Sequence, residues 1–537
     1  MEPVLATARA ACDERRWGDA RRAFAEIAVD DLEVDDLDAY ATAAYLTGSD
    51  EVGFALWTRA HLRCAEDGSV HRSAHFGVRL AECLCFKGDV PRARGWVDRT
   101  ARLLEEAKID CVEQGYLEHA LGMIRIFEHG DFAGARTHFE QGRKLGARFG
   151  DRQLVTLSRI GEGRMLIYLG DHADGLALLD ETVVSIEAGE LSPVATGDAY
   201  CTVIDACAEL SEVVRCRSWT ASMQQWCDLH QELVLYRGHC FVHAAEVLRV
   251  LGRWRDGLEA ARHACGRLAD PVPSILGAAL GLEADLLRLL GDLDAAETAY
   301  AGAHANGHEP QPGLALLHLT RGRLDTAAAM IRRSLGEAEG PIFRSRLLPA
   351  YIDIMLRSGD IDSARAAGEE LHDIALELGV AVLRAQAALA TGTLLLRGGG
   401  PAAALVELRR ALRTFNDLGA NEETPRTRML IAEACRALGD DATADLEEAA
   451  ARAAITSFRL AGGDKPDQVD LDLPDGLTQR EVEVLLHLAG GKTNRVIGET
   501  LFIAEKTVAS HVSHIFIKLG ITSRSAATAY AYDKGLI

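Results

Sequence analysis

Twelve times along this chain a helical run is broken by a glycine, or once by a serine, followed by a short and usually acidic turn. The marks are Gly18, Gly48, Gly88, Gly130, Gly170, Ser211, Gly252, Gly291, Gly322, Gly359, Gly399 and Gly439. Their spacing is 30, 40, 42, 40, 41, 41, 39, 31, 37, 40 and 40 residues. Five residues past each mark stands a small side chain: Ala23, Gly53, Ala93, Ala135, Gly175, Cys216, Gly257, Ala296, Ala327, Ala364, Ala404 and Ala444. Glycine adopts the left-handed conformation that closes a helix. An Asp directly after it (Asp19, Asp89, Asp131, Asp171, Asp292, Asp360, Asp440) is placed to cap the next helix. A small residue one turn further in lets that helix cross its predecessor closely. Alternating strand patterns are absent, so the chain reads as paired helices that must stack to bury their apolar faces.

The fold class that follows is all-α. Residues 1–458 form an α-solenoid of about twelve helical hairpins, resembling tetratricopeptide arrays but with a step nearer forty residues than thirty-four. Such stacking produces a superhelix with a concave inner wall suited to a peptide, a protein or a small molecule. The wall residues cannot be named from spacing alone. From Ala461 the helical pattern lapses through Gly462-Gly463-Asp464-Lys465-Pro466 and Pro474-Asp475-Gly476. A linker is placed at 459–472 and a second domain at 473–537.

The second domain has the punctuation of a four-helix unit. Thr478 and Glu481 have capping-box spacing. Leu485, Leu486 and Leu488 give the first helix an apolar side, and Gly490-Gly491 ends it. Thr493 caps a short second helix, and Glu505 to Leu519 forms a third. Gly520 stops the third, and Ser523 caps a fourth that runs to Gly535. In the third helix Val508, Val512, Ile515 and Leu519 recur at helical spacing and belong to the core. In a helix-turn-helix the second helix of the pair enters the major groove, which places Lys506, Thr507, Ala509, Ser510 and Ser513 where a duplex would be read.

The strings Leu-Thr-Gln-Arg-Glu-Val-Glu-Val-Leu (477–485), Thr-Asn-Arg-Val-Ile-Gly (493–498), Leu-Phe-Ile-Ala-Glu-Lys-Thr-Val-Ala-Ser-His-Val-Ser-His-Ile (501–515), Lys-Leu-Gly (518–520) and Ser-Arg (523–524) together resemble the LuxR-type helix-turn-helix domain, collinearly over the whole segment. The stretch Arg237 to Glu246 also resembles one recurring in LuxR-type regulators with helical-repeat bodies. The resemblance implies that Thr493, Asn494, Lys506, Thr507 and Lys518 lie near phosphates. It implies that Ala509, Ser510 and Ser513 lie near bases, and that the helix from Arg524 to Lys534 helps pair two domains on a two-fold site. The sequence departs from the family pattern at Ala504, where a capping Ser or Thr is usual. It also departs at Gly498, where Ala is usual, and at Ile517, often Lys or Arg. Ala509 has no hydrogen bond to offer a base and can only pack, for instance against a thymine methyl.

Charge supports this division. The chain carries 58 Lys or Arg against 80 Asp or Glu, net −22. From Leu477 onward there are seven against five, which leaves 51 against 75 in the rest. An acidic body is repelled by the DNA backbone, so it is not the DNA-binding surface. A tail near +2 binds weakly alone, and a dimer on adjacent half-sites doubles its phosphate contacts. No apolar run is long enough to span a membrane. The N-terminus lacks a signal pattern, and twelve cysteines without paired spacing suit reduced, cytoplasmic thiols.

Little else suggests chemistry. Gly490-Gly491-Lys492-Thr493 lacks the upstream glycine of a phosphate loop, since Leu486 stands there. The chain therefore resembles the solenoid and DNA reader of large LuxR-type activators without their ATPase module. Cys227, His230, His239, Cys240 and His243 sketch a zinc site, but ordinary helix packing gives the same spacing. The tryptophans are read as core. No nucleophile has a base beside it. The expectation is a non-enzymatic, bacterial, cytoplasmic transcriptional regulator without cofactor or metal. It binds double-stranded DNA as a homodimer, and its solenoid senses a ligand or protein partner. The alternative is a protein-docking scaffold that the tail tethers to DNA.

Overall fold

The computed structural model describes residues 2–230, 232–268, 273–460, 477, 479–489, 492–501, 505–519, 521 and 524–533. It separates into two compact units, Met1–Asp464 and Lys465–Ile537. Among the described residues all regular structure is helical.

The first unit is a succession of helix pairs, from Glu2–Asp13 with Trp17–Ala25 to Thr424–Ala437 with Asp441–Leu460. Twelve pairs lie among the described residues. The turn inside each pair has one local design. Gly48, Gly88, Gly130, Gly170, Gly252, Gly291, Gly322, Gly359, Gly399 and Gly439 all have positive φ, and so does Ser211 at +59°. After Gly130, Asp131 donates its N–H six residues back, to Arg125; at all the other marks the next residue donates five residues back, as Ser49 does to Ala44, Asp89 to Leu84 and Glu212 to Cys207. That is the 6→1 bond of a Schellman closure, which satisfies a carbonyl the ending helix would otherwise strand.

The first mark is a correction. Gly18 lies inside the helix Trp17–Ala25, and the left-handed residue of that hairpin is Arg15, φ +57°. Arg16 makes the closing bond to Ala11, 2.8 Å. The small crossing residue shifts with it: Ala20 is fully buried, whereas Ala23 is only half-buried. The Asp caps hold at Asp89, Asp131, Asp292, Asp360 and Asp440, whose carboxylates accept an N–H three residues on. Asp19 instead sits within its helix between Arg16 and Arg22. Asp171 occupies a cap position without a side-chain bond. The short step of 31 residues before Gly322 reflects the eight-residue helix Gly313–Thr320. The last helix continues to Leu460, into the stretch expected as linker; residues 461–472 lie outside the described residues.

Small residues set the crossings. A Cβ on Gly175 would come 2.6 Å from the carbonyl oxygen of Gly163, and one on Gly163 would come 3.0 Å from that of Gly175. Only two glycines permit this backbone approach. Trp57, Phe24, Tyr45 and Phe415 are among the largest fully buried side chains. Of the six tryptophans, Trp17, Trp57 and Trp254 are buried and Trp96, Trp219 and Trp226 half-buried.

The solenoid is wound tightly enough to meet itself. Counting hairpins along the chain, Gly48 of the second lies against Val234 of the seventh, where a Cβ would approach to 3.2 Å. Tyr168 of the fifth stacks on Phe343 of the tenth, ring centroids 6.4 Å apart. Trp254 of the seventh meets Phe458 of the twelfth edge to face at 5.2 Å. Asn421, at the start of the twelfth, donates to the Leu251 carbonyl of the seventh, 3.2 Å. Each contact joins hairpins five apart, so one superhelical turn takes five hairpins and successive turns touch.

Candidate nucleic-acid interface and solenoid cavities

The second unit has helices Gln479–Ala489, Asn494–Leu501, Glu505–Leu519 and Arg524–Asp533. Leu477, Val484, Leu485, Leu488, Ile497, Val508, Ile515, Ala527 and Ala531 form its buried core. Val512 and Leu519 pack at its edge. Two closures bracket the helices. Lys492 donates to the His487 carbonyl at 3.1 Å and Ile521 to that of Phe516 at 3.0 Å, the same 6→1 bond found in the solenoid. The second helix begins on Thr493, whose Oγ1 accepts the Val496 N–H at 3.4 Å. Thr478, Gly490, Gly491, Ala504, Gly520, Ser523, Lys534 and Gly535 lie outside the described residues.

The helix Glu505–Leu519 is fixed by Val508 and Ile515. Ala509 is exposed one residue beyond the buried Val508. At 3.6 residues per turn, positions 506, 510 and 513 fall on the side of this helix away from positions 508 and 515. Lys506, Thr507, Ser510 and Ser513 all belong to the helix, and their side chains lie outside the described residues. Thr493 is exposed and Asn494 half-buried.

Two polar contacts tie this face to the rest of the domain. Lys518 Nζ lies 2.7 Å from Oε2 of Glu481, a carboxylate buried in the first helix. Glu481, expected to form a capping box with Thr478, has its carboxylate beside Lys518; Thr478 lies outside the described residues. Arg524 Nη2 donates to Asn494 Oδ1 at 2.6 Å, linking the fourth helix to the start of the second. An Asn whose oxygen is engaged offers its NH2 group as a donor.

The solenoid holds two cavities that spacing could not locate, because their walls come from helices far apart in sequence. One, of about 150 Å³, lies among the third to sixth hairpins. Arg79, Glu82, His119, Arg164 and Asp198 line its polar side, and Phe86, Phe127 and Phe139 its apolar side. The other, of about 300 Å³, reaches from the sixth hairpin to the twelfth and borders the ion pairs of Arg249 with Glu246 and Glu422. Burial lifts the Asp198 carboxyl to about 7 and Glu422 to about 7, and pushes His243 down to about 4.

The Cys/His group sorts into packing pairs. The Cys227 and Cys240 thiols are buried partners. His230 stands edge-on to Trp226 at 5.9 Å, His239 lies 6.4 Å from the Tyr236 ring, and His243 Nδ1 is 3.9 Å from Asp205. Among the described residues no three His, Cys, Asp or Glu side chains are grouped to hold a metal. Likewise, among the described residues no helix is long and apolar enough to cross a membrane.

Residues 475–531 match the family described as bacterial regulatory proteins, luxR family. Relatives include the transcriptional regulatory protein LiaR of Bacillus subtilis, 46% identical over 63 residues, 12% of this chain and 30% of that protein. DegU of Brevibacillus brevis is 44% identical over 61 residues, 11% of this chain and 26% of its own length. The response regulator protein VraR of Staphylococcus aureus is 42% identical over 66 residues, 12% of this chain and 32% of its own. The chain thus spans about a third or less of the length of these relatives. Among solved structures, a Rap protein complexed with competence and sporulation factor aligns over 72% of this chain and 100% of its own, at 11% identity and TM-score 0.41. The Cut9-Hcn1 hetero-tetramer of the APC/C aligns over 84% and 94%, at 13% identity and TM-score 0.36.

Proposed function

We propose, on the premise that the C-terminal unit is a LuxR-family DNA-binding domain, that this protein is a bacterial, cytoplasmic, non-enzymatic transcriptional regulator. It binds a two-fold DNA site as a homodimer, and its solenoid senses a ligand or partner. The observation that carries the reading is the third helix of the tail. It is held from behind by Val508 and Ile515 and exposes Ala509, with Lys506, Ser510 and Ser513 on the outer register. Thr493, Asn494, Lys506, Thr507 and Lys518 engage phosphates and fix the register on the duplex, while Ala509, Ser510 and Ser513 meet base edges.

The charge balance supports dimerisation. A domain near +2 has few cations to release counterions, and pairing doubles them. The solenoid acts by population shift: a ligand that prefers one arrangement of the protein changes how readily two tails meet a site.

Selection of DNA bound by the full chain from a random pool tests this. The expected product is an inverted repeat with half-site centres about one helical turn, roughly 34–36 Å, apart. Recovery of a single asymmetric half-site would exclude the dimer, and recovery of no preferred sequence would exclude specific recognition.

A further inference from the structure

The smaller solenoid cavity has an unusual distribution of commitments among its charged groups. Arg164 is paired with Glu209 at 2.8 Å and also reaches the Tyr168 hydroxyl at 3.2 Å. Glu82 gives one oxygen to His119 Nδ1 at 2.9 Å. Asp198 accepts the Tyr236 hydroxyl on Oδ1 at 2.8 Å, and no bond to its second oxygen is recorded among the described residues. Arg79 makes no hydrogen bond or ion pair with any described residue; the Trp57 ring centroid lies 5.9 Å from its guanidinium carbon, and the Asp38 and Glu82 carboxylates act on its charge. The cavity therefore holds a guanidinium without a hydrogen-bonded partner and, on the helix Pro193–Glu209, a carboxyl with an uncommitted oxygen.

A half-buried guanidinium whose donors have no protein hydrogen-bond partner favours a carboxylate. An anion alone would leave Asp198 and Glu82 facing added negative charge at low dielectric, and a cation alone would face Arg79. A ligand carrying both charges balances the site. Much of the rest of the wall is apolar, including Met123, Ile126, Phe139, Leu157 and Ile160, with Gln153, Ser192 and Thr202 as further polar groups. Phe127 is 51% exposed, a large apolar side chain left partly in water at the edge of this wall. A volume near 150 Å³ accommodates a group about the size of a benzene ring.

We infer that this cavity binds an α-amino acid with a large apolar side chain. Its carboxylate sits on Arg79, its ammonium on Asp198 and Glu82, and its side chain against Phe139 and Met123. Nothing covalent happens; the site recognises. The burial that lifts the Asp198 carboxyl is the cost an incoming ammonium relieves, so Asp198 releases its proton as the ligand binds. This deepens the reading of the solenoid as the sensing part and rests on it only for its consequence at DNA.

The test is calorimetry on the full chain with L-phenylalanine, 3-phenylpropanoate, which lacks the ammonium, and phenethylamine, which lacks the carboxylate. L-Phenylalanine is expected to bind one per chain, and each analogue about tenfold or more weaker. R79M should bring L-phenylalanine down to the level of phenethylamine, with R79K recovering part of the loss. D198N should bring it down to the level of 3-phenylpropanoate. A cooperative melting transition with the parent's helical content shows that each variant folds. Equal affinity for either analogue, no effect of R79M, or no binding of phenylalanine, leucine or methionine would overturn the assignment. A parallel DNA titration separates the two readings. Amino-acid binding without a change in DNA affinity upholds this site and removes the sensing role. DNA binding without amino-acid binding removes this site alone.

Discussion

Lys518 Nζ stands 2.7 Å from the Glu481 carboxylate, a side chain 4% exposed, and so fastens the last turn of the helix Glu505–Leu519 to the first turn of the helix Gln479–Ala489. The residue proposed to sit near phosphate thus also has a partner within the fold. Replacing Lys518 by Met removes a charged partner from a buried carboxylate, which costs about 1–3 kcal/mol. Lys518 is itself 36% exposed, so solvent screening places the loss toward the lower end. E481Q keeps a neutral acceptor and loses less. Hydrogen exchange of the amides between 479 and 519 in the full chain reads this directly. Unchanged protection in K518M would mean the pair has no structural role.

The hairpin turns make a paired prediction of opposite sign. Ser211 holds φ +59°, a conformation that strains a residue with a Cβ. S211G should stabilise the solenoid by about 1 kcal/mol. Gly88, at φ +76° with open space around a would-be Cβ, gives the converse. G88A should cost about 1 kcal/mol from backbone conformation alone. Urea midpoints of the two variants against the parent decide it.

Asp198 and Glu422 predict a particular response to pH. Burial lifts both folded carboxyls to about 7, above ordinary values of 3.8 and 4.5. The folded state holds protons that the unfolded chain has released. Stability from these groups is full below about pH 4 and declines as pH rises toward 7. His243, held down near 4, contributes the other way, gaining stability as pH rises from about 4 to 6.5. D198N removes one declining contribution and keeps an acceptor for Tyr236. Its stability relative to the parent should therefore improve between about pH 4 and 7 and level off above that, as measured by urea unfolding at each pH. A constant difference would contradict the assignment.

Contacts between superhelical turns predict a change of shape. Arg249 of the seventh hairpin bonds Glu246 at 2.8 Å and pairs with Glu422 of the twelfth. R249M takes the hydrogen-bonded cation from two half-buried carboxylates, a loss on the order of 1–3 kcal/mol. The turns should loosen there, seen as a larger radius of gyration by small-angle scattering. E422Q, which leaves Arg249 paired with Glu246, should expand less.

The twelve hairpins were legible because a Schellman turn is local. A left-handed residue, a cap and a small crossing residue lie within six positions, and even Ser211 could be read from its register. The first turn was misread because Arg15 in the left-handed region has no sequence signature, while Gly18 is there for a distant reason. Its N–H donates to Glu232 at 2.6 Å, and a Cβ would strike that same carboxylate. Contacts between hairpins five apart join residues some 170 to 220 positions distant, which no periodicity encodes. The cavity walls were hidden for the same reason. In the tail the core stripe through Val508 and Ile515 was legible from helical spacing. The Lys518–Glu481 pair was not, since Glu481 has the spacing of a capping box as well.

Titrating the full chain against its selected duplex over a series of salt concentrations tests the central claim most directly. The logarithm of affinity should fall linearly with the logarithm of salt. K506A should lower that slope by about two, one phosphate contact from each member of a pair. A slope that K506A leaves unchanged, or an affinity indifferent to salt, would contradict a paired domain that reads DNA through this helix.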